Sequence, residues 1–199
     1  MILADSMFMA ETTASDYPTS PIWETFDFDN GLKYQLRRVR VDLKAKKFHS
    51  MKSMTDGIAN VEFPVVNPAV VGQDYQYAYV SASNTVIRNG VVQGLAKVDV
   101  QKGQVIDQWR PLNHEFLGEV SFYPRPAQSE NQHPPEEDYG YLITYLFNGK
   151  LKSSELVIFD AQKIGSGPIA RTPLKYMMNY NLHGVVIPGY TPTMAGPVE

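Results

Sequence analysis

Tight-turn dipeptides, set at intervals between short apolar runs, limit more than any other feature what this chain can fold into. Lys102-Gly103 separates two such runs, and Asn-Gly separates others at residues 30–31, 89–90 and 148–149. Asn-Gly tolerates the positive φ angles that a type I′ hairpin requires. Short β-prone runs joined in this way predict an antiparallel, all-β fold of about ten strands.

The runs between the turns have the residue content of strands. Tyr75, Tyr77 and Tyr79 alternate with other residues, which is the two-residue period of a half-buried strand. Residues 141–147 and 155–160 are instead continuous apolar runs with β-branched and aromatic residues. We expect these two strands to be buried on both faces, because such residues crowd a helix and no capping pattern frames them.

A strand that ends in Asp before a turn recurs along the chain. It is found at Asp42, Asp99 and Asp160, at intervals of about 60 residues. This recurrence is closer to the successive blades of a β-propeller than to a sandwich, and the pattern by itself leaves both architectures open.

The composition excludes several classes of function. With 43% hydrophobic and 20% charged residues the chain can bury a core, and its formal net charge of −3 argues against binding to nucleic acid. The one basic cluster, within residues 37–47, is interpreted as a solvated strand face. The chain has no cysteine, which excludes disulfides, cysteine zinc sites and thiol nucleophiles. No apolar run approaches the ~20 residues of a membrane-spanning helix.

One of the four histidines stands apart from the others. His49 follows a lysine run and His133 lies in a polar stretch, so both are predicted to be on the surface, whereas His114 has no clear assignment. His183 begins an apolar strand-like run, and Gly184 beside it would let another group approach closely. A lone histidine in such a place is more often a hydrogen-bonded core residue than a metal ligand.

Two glutamates have unusual surroundings. Glu62 and Glu119 are each flanked by apolar residues and followed by a proline. A carboxylate in apolar surroundings must be paired or protonated. Three interpretations remain open: an internal salt bridge, for example to Arg125 or Arg171; a carboxylate that accepts the Nδ1 proton of a metal-bound imidazole; or the two acids of a glycosidase.

Five motifs occur together and in order, and together they resemble the carotenoid cleavage oxygenases. Each motif is weak alone, but their shared order over roughly residues 34–188 makes the resemblance specific. The motifs are Glu-Phe-Pro-Val-Val-Asn-Pro at 62–68, Gly-Glu leading to Phe-Tyr-Pro-Arg-Pro at 118–126, Asp-Tyr-Gly-Tyr-Leu-Ile-Thr-Tyr at 138–145, Ser-Glu-Leu-Val-Ile-Phe-Asp-Ala at 154–161 and His-Gly at 183–184.

The resemblance implies a seven-bladed β-propeller whose axis carries a ferrous ion held by four histidines. His183 matches the last of these ligands, and Glu62 and Glu119 match two glutamates that support the imidazoles. The implied substrates are a carotenoid or apocarotenoid and dioxygen, which is added across a double bond to give carbonyl fragments. Phe63, Phe122 and Tyr123 are candidates for lining the substrate tunnel, with core packing as the alternative role for each. Peripheral contact with a membrane is a further possibility that the resemblance implies.

The chain departs from the family pattern in one important respect. The other three histidine ligands lie upstream of the Glu-Phe-Pro motif in the family, and this region holds only His49, in a context that matches none of them. We therefore expect residues 1–199 to be the C-terminal blades of a partial seven-bladed propeller, truncated on the N-terminal side and inactive alone. Leu182, where an aromatic residue often stands in the family, is a lesser departure. A location in the cytoplasm or a plastid, soluble or peripheral, stays open.

Each alternative function predicts a different geometry. A non-catalytic propeller or sandwich used for protein binding predicts that Glu62, Glu119 and His183 point away from each other. A glycosidase predicts two glutamates across an open cleft with no histidine between them. The oxygenase predicts that all three side chains converge on one axis, with Nε2 of His183 facing the metal position.

Overall fold

The computed structural model of the chain consists almost entirely of short antiparallel strands. It describes residues 2–10, 33–58, 60–83, 92–126, 136–178, 183–187 and 189. Helical backbone within these ranges is limited to two single 3₁₀ turns, Pro68–Val70 and Ile164–Ser166. In the same ranges the strands are β1 (Ile2–Ala10), β2 (Lys33–Asp42), β3 (Lys47–Ser53), β4 (Val61–Val65), β5 (Tyr77–Ala82), β6 (Gly94–Asp99), β7 (Gln104–Trp109), β8 (Glu115–Leu117), β9 (Ser121–Pro124), β10 (Gly140–Asn148), β11 (Ser153–Asp160) and β12 (Ala170–Pro173). The all-β prediction is thus confirmed.

The strands form three sheets, each made from strands that are consecutive in the chain. The first sheet has the order β1-β2-β3, and the second has the order β4-β5-β6-β7. The third has the order β12-β11-β10-β8, and β9 also pairs with β10. Every pairing is antiparallel, so each sheet is a meander that begins at an edge strand: β1, β4, or β8 together with β9.

The hairpin turns use a polar residue at the end of the preceding strand. Oδ1 of Asp99 accepts hydrogen bonds from the backbone N–H groups of Gln101 (3.1 Å) and Lys102 (2.9 Å). The last residue of this four-residue turn is Gly103, at φ 69°. Asp42 makes the same pair of bonds in the turn between β2 and β3. The recurrent "strand ending in Asp" therefore has a local cause, which is capping of the turn by the carboxylate.

The turn at Asn148-Gly149 differs from the predicted type I′ hairpin. Asn148 pairs with Ser153 in the β10–β11 register, so the loop between them has four residues, and its positive φ falls on Lys152 at 51°. Asn148 caps this loop through Oδ1, which accepts from the N–H groups two and three residues on. The pairs at 30–31 and 89–90 lie outside the described residues.

The second sheet is covered by the other two sheets, one on each face. On one face Tyr79 and Leu95 join a buried cluster with side chains of the third sheet such as Phe159. On the other face Val80 and Val98, which alternate with them along β5 and β6, join a cluster with side chains from the end of the first sheet. Every residue of β6 is consequently buried.

The strands predicted to be buried on both faces are more asymmetric than expected. Along β10, buried residues alternate strictly with half-buried ones. The buried set includes Leu142 and Leu146, which enter the core between the second and third sheets. One face of β10 is therefore fully buried in the core, and its other face is only partly covered.

The first sheet has an apolar face that no described residue covers fully. Val39 pairs with Met51 and Val41 pairs with Phe48, so these four side chains share one face. Met51 is 44% exposed and Phe48 is 63% exposed. The opposite face carries Leu36, which is buried against the second sheet. The first sheet is therefore packed on one side only in the described part of the chain.

A buried ion pair joins the second and third sheets. Nζ of Lys97, on β6, lies 2.6 Å from Oδ2 of Asp138, just before β10, and the lysine side chain is 3% exposed. The same ammonium lies 4.4 Å from the ring centroid of Tyr77. Because both charges are withdrawn from water, the pair is tolerated only through this close contact.

No described helix has the length and apolar character that a membrane span requires.

Candidate functional site

Glu62 stands at a β-bulge in the first strand of the second sheet. From the pair Glu62–Ser81 to the pair Val65–Tyr79, β4 advances three residues while β5 advances two. The extra residue falls at Phe63-Pro64, and Phe63 has φ 53°, a left-handed conformation that a residue before proline seldom adopts. Bulges re-aim side chains and are frequent beside active sites.

Glu119 stands at a second bulge, in the equivalent strand of the third sheet. Leu117 pairs with Leu146 and Ser121 pairs with Ile143, so the β8–β9 segment advances four residues while β10 advances three. Glu119 lies at the middle of this interruption. The two glutamates singled out from the sequence therefore occupy corresponding positions, each at a bulge in the edge strand that begins its sheet.

The structure brings His183 to Glu119. Nδ1 of His183 lies 3.3 Å from Oε2 of Glu119, and the same oxygen accepts a hydrogen bond from the backbone N–H of Gly184 at 3.1 Å. An ionised carboxylate can only accept, so this bond requires the imidazole proton to be on Nδ1. Nε2 then carries the lone pair, and it has no hydrogen-bond partner among the described residues.

Phe63 makes the second contact with the imidazole. The two rings meet edge to face, with centroids 5.4 Å apart and planes at 79°. The left-handed bulge beside Glu62 therefore connects the second sheet to the segment that carries His183. The imidazole is nonetheless 76% exposed in this chain. The expected inward orientation of Nε2 toward a propeller axis stays a prediction.

The carboxyl group of Glu62 has no hydrogen bond or ion pair with any described residue. It is half-buried, and this burial raises the pKa of Glu62 above the ordinary glutamic-acid value. Its surroundings thus contrast with those of Glu119, which has two partners. Partial burial without a partner among the described residues thus disfavours the ionised form of this carboxyl group.

The salt-bridge interpretation of the two glutamates is wrong for both of the arginines that were named. Arg125 pairs with Asp160 at 3.0 Å, and it also lies over the rings of two tyrosines. Arg171 pairs with Glu115 at 3.1 Å and with Glu155. Of these acids, Glu155 and Asp160 lie on β11 and Glu115 lies on β8, whereas Arg171 lies on β12 and Arg125 follows β9, so all the pairs form within the third sheet.

The candidate tunnel residues have different surroundings. Phe122 is 6% exposed and packs in the core against Tyr79, at 5.8 Å between centroids. Phe122 and Tyr123 also line an open, largely apolar cavity of about 410 Å³. Glu119, Gly184 and Val185 line the same cavity. A tunnel role for Phe63, Phe122 and Tyr123 stays a prediction.

Of the remaining histidines, the two that the structure describes, His49 and His114, are not part of this arrangement. His49 is exposed on β3, as expected, and His114 is half-buried in the turn before β8. His133 and Leu182 lie outside the described residues. The sequence did not indicate the N–H of Gly184 as a partner of Glu119, because backbone donors leave no sequence signal of their own.

The described residues fit one ligand of a metal site. An imidazole with Nδ1 bonded to a carboxylate and Nε2 free has the arrangement of a metal-binding histidine. No group of three or more histidine, cysteine or acidic side chains within the described ranges could hold a metal ion together. The donor chemistry is therefore compatible with iron, and further ligands would have to come from elsewhere in the protein.

Comparison with known proteins gives a consistent result. The family model of the "retinal pigment epithelial membrane protein" matches residues 2–188. The apocarotenoid-15,15′-oxygenase of Synechocystis sp. is 36% identical over 159 residues, which cover 79% of this chain and 30% of that protein. The lignostilbene-α,β-dioxygenase isozyme III of Sphingomonas paucimobilis is 29% identical and is matched over 75% of this chain and 31% of its own length.

A solved structure shares the fold as well as the sequence. The crystal structure of the cobalt-substituted Synechocystis oxygenase superimposes with a TM-score of 0.77 at 33% identity. The match covers 92% of this chain and 36% of that one. The chain thus spans about a third of the length of these relatives.

Proposed function

The chain belongs to the retinal pigment epithelial membrane protein family of carotenoid oxygenases, and from this premise we propose that it forms part of a non-haem iron(II) dioxygenase. The proposed enzyme cleaves a double bond of a carotenoid or apocarotenoid. Both atoms of dioxygen are added across the C=C bond, and two carbonyl fragments leave. The relatives that act on apocarotenoids and lignostilbene, by their names, support this reaction class.

The observation that carries the proposal is the contact between His183 and Glu119. A carboxylate that accepts the Nδ1 proton holds the imidazole in one tautomer and fixes the direction of Nε2. In the proposed enzyme His183 is a metal ligand through Nε2, and Glu119 orients it. When bound, the ferrous ion supplies open positions for the activation of dioxygen.

Glu62 has the same role toward a second imidazole in this proposal. Its half-buried carboxyl group, which has no partner among the described residues, is suited to accept an Nδ1 proton from a histidine elsewhere in the protein. Phe63 packs against the His183 ring and helps to fix its orientation. The described part of the chain supplies one of the four expected histidine ligands, so we expect no activity from the chain alone.

We also propose that the three sheets are successive blades of a seven-bladed β-propeller. Each is a meander of consecutive strands, and the second packs face to face between the other two. The apolar face with Phe48 and Met51 suits contact with a preceding blade. Under this proposal, residues 1–199 are the C-terminal part of the propeller domain and the remaining blades supply the other ligands.

The polyene in this proposal passes an apolar wall that includes Phe63, Phe122 and Tyr123. The cavity lined by the last two also reaches Glu119 and Gly184, which supports an approach of substrate to the His183 side. A glycosidase is not favoured, because Oε2 of Glu119 is engaged by an imidazole and a backbone N–H rather than facing an open cleft.

A chimera tests the proposal. In the chimera, residues 1–199 of this chain replace the matching segment of the Synechocystis apocarotenoid oxygenase, and that oxygenase supplies the rest of the protein. We expect it to retain iron and to cleave an apocarotenoid in the presence of dioxygen. We expect H183A to abolish both, and E119A to lower iron affinity or activity by about 10–100-fold, as is usual when the partner of a ligating imidazole is lost.

The matched control is H49A, which removes an exposed imidazole on β3 without touching Glu119. It should keep both iron and activity. Equal iron retention by a folded chimera with and without the His183 ring would overturn the assignment of His183 as a ligand. Circular dichroism of each variant separates a lost ligand from a lost fold.

A further inference from the structure

The segment that carries Glu119 interrupts the regular ladder of hydrogen bonds with β10, although the N–H of Gly118 still donates to the carbonyl oxygen of Tyr145 at 3.4 Å. Gly118 to Val120 lie between β8 and β9, at the bulge opposite β10. Gly118 and Val120 are buried. Because buried carbonyl groups must be bonded, the carbonyl oxygens of this segment require donors other than the backbone N–H groups of a neighbouring strand.

Two buried hydroxyl groups from two different sheets supply these bonds. Oγ of Ser81, on β5 of the second sheet, donates to the carbonyl oxygen of Gly118 at 3.0 Å. Oγ1 of Thr144, on β10 of the third sheet, donates to the carbonyl oxygen of Glu119 at 2.7 Å. Ser81 is 0% exposed and Thr144 is 4% exposed. The two carbonyl groups that flank the Glu119 Cα atom are thus each bonded to a hydroxyl group from a different sheet.

Ser81 has a second connection to the site. It is the residue directly opposite Glu62 in the β4–β5 pairing. Ser81 therefore pairs with Glu62 through its backbone and bonds through its side chain to the peptide group that precedes Glu119. Both hydroxyls stand in strands whose other inward positions are apolar, such as Val80 and Leu142, where a polar side chain is costly unless it is bonded.

We propose that Ser81 and Thr144 are positioning residues that hold the Glu119 backbone so that its carboxylate meets Nδ1 of His183. The inference rests on the proposed role of His183 as a ligand. The contact at 3.3 Å leaves little tolerance, because a hydrogen bond weakens steeply beyond this length. A displacement of the bulge releases the imidazole from a single tautomer.

The tautomer of His183 is the quantity to measure. The chain is labelled with ¹⁵N-histidine, and the ring nitrogen shifts of His183 are recorded at mildly alkaline pH, where a free imidazole is neutral. In the unaltered chain we expect the proton on Nδ1. In T144V, which keeps the side-chain shape, and in S81A, we expect a measurable shift of the population toward the Nε2–H tautomer.

Three further variants make the test specific. T144S keeps the hydroxyl and should restore the unaltered tautomer. Y79F removes another buried hydroxyl that joins the same two sheets, from Tyr79 Oη to the carbonyl oxygen of Ala161 at 3.0 Å, and should leave the tautomer unchanged. E119A removes the acceptor and should shift the population most.

The outcomes separate the two proposals. If E119A shifts the tautomer but folded T144V and S81A do not, the positioning role is overturned and the Glu119–His183 pair stands. If E119A has no effect, the pair itself is absent and the proposed function loses its main support. Should one of the two variants fail to fold, the other decides the question. A shift in Y79F equal to that in T144V would assign the effect to general loosening of the sheets.

Discussion

The bulge at Glu62 and the bulge at Glu119 are two versions of one local structure with different surroundings. Each lies in the edge strand that begins a sheet, and each adds one residue relative to the neighbouring strand. Glu119 bonds to the His183 ring and to Gly184 N–H, whereas the Glu62 carboxyl has no partner among the described residues. Both bulges are fully formed, but only the carboxylate of Glu119 has hydrogen-bond partners among the described residues.

This difference separates two tasks of the fold. The β-meander and its bulge place a carboxyl group at a chosen point, and this part is local to each sheet. A distant segment must then deliver the group that the carboxylate binds, as residues 183–187 do for Glu119. The Glu62 carboxyl, which has no such partner among the described residues, has a pKa that burial raises above the ordinary value.

The largest expected effect concerns the ion pair that joins the two sheets in which the bulges lie. Lys97 and Asp138 join the sheet of Glu62 to the sheet of Glu119 through a buried contact of 2.6 Å. K97M leaves the Asp138 charge buried and uncompensated, so we expect a loss of about 3–5 kcal/mol in the free energy of unfolding. Urea unfolding measures it, and the double variant K97M/D138N should recover most of the loss.

Lys102 provides the matched control for this substitution. It also pairs with an aspartate, Asp99 at 3.2 Å, but its side chain is 63% exposed. K102M should cost less than about 1 kcal/mol. If K97M is no more destabilising than K102M, the ion pair does not hold the two sheets together, and the two bulges are not fixed relative to each other by this contact.

The second prediction sharpens the comparison by testing the strain at one bulge. Phe63 has φ 53°, a conformation that costs a residue with a Cβ atom roughly 1–2 kcal/mol. F63G and F63A both lose the ring contact with His183, but only glycine relieves the backbone. We expect F63G to be the more stable of the two by about 1 kcal/mol in urea unfolding.

Phe48, in the exposed strand β3 and without a positive φ, supplies the reference pair for this order. There glycine should be the less stable substitution, by about 0.5–1 kcal/mol. If the glycine variant were less stable than the alanine variant at Phe63 as well, the backbone of the bulge would not be strained at Phe63.

The smallest expected effect is the pH dependence caused by Glu62. Because its pKa is raised in the folded chain, its contribution to stability is complete below the unfolded pKa of about 4.3 and is lost as the pH rises through the folded pKa. E62Q avoids this loss. The variant should match the unaltered chain near pH 4 and exceed its stability at pH 7, by less than about 1 kcal/mol because the group is partly solvated.

D74N, at an exposed carboxyl group, controls for the removal of one negative charge. Unfolding curves measured across this pH range decide the result. A constant difference between E62Q and the unaltered chain at every pH would show that burial does not perturb the Glu62 carboxyl.

The parts of the fold that depend on local chemistry could be predicted from the sequence. The Lys102-Gly103 turn and the alternation of the tyrosines were enough to predict a hairpin and a strand, because turn capping and side-chain period are nearest-neighbour effects. The prediction that this strand is half-buried was wrong, since β5 is buried on both faces between the other two sheets. The turn at Asn148 was predicted with the wrong type, since the Asn side chain bonds to a four-residue loop that a dipeptide pattern does not specify.

The roles of the candidate site residues stay predictions, and the structure shows one contact between two of them, Glu119 and His183. Glu62, Glu119 and His183 stood out because of the apolar residues around them. A carboxylate bonded to Nδ1 of an imidazole was one of the interpretations left open, but which of the two glutamates meets His183 could not be predicted, because the contact spans 64 residues. The hydrogen bonds of the Ser81 and Thr144 hydroxyl groups could not be predicted from the sequence either, since a single serine or threonine in an apolar strand has many possible partners.

The extra residue at each bulge has a consequence for how such a chain can vary in length. Side chains alternate along a strand with a period of two, and the extra residue lets Glu62 and Val65, three positions apart, pair with Ser81 and Tyr79, which are two positions apart. Deletion of Pro64 would give a regular strand that can keep the Val65–Tyr79 pair but loses the bulge that aims Phe63 and Glu62. Single-residue insertions and deletions in β4 or in the β8–β9 segment are therefore far more damaging than those in the turns, and this part of the gene should tolerate changes of codon identity much better than changes of codon number.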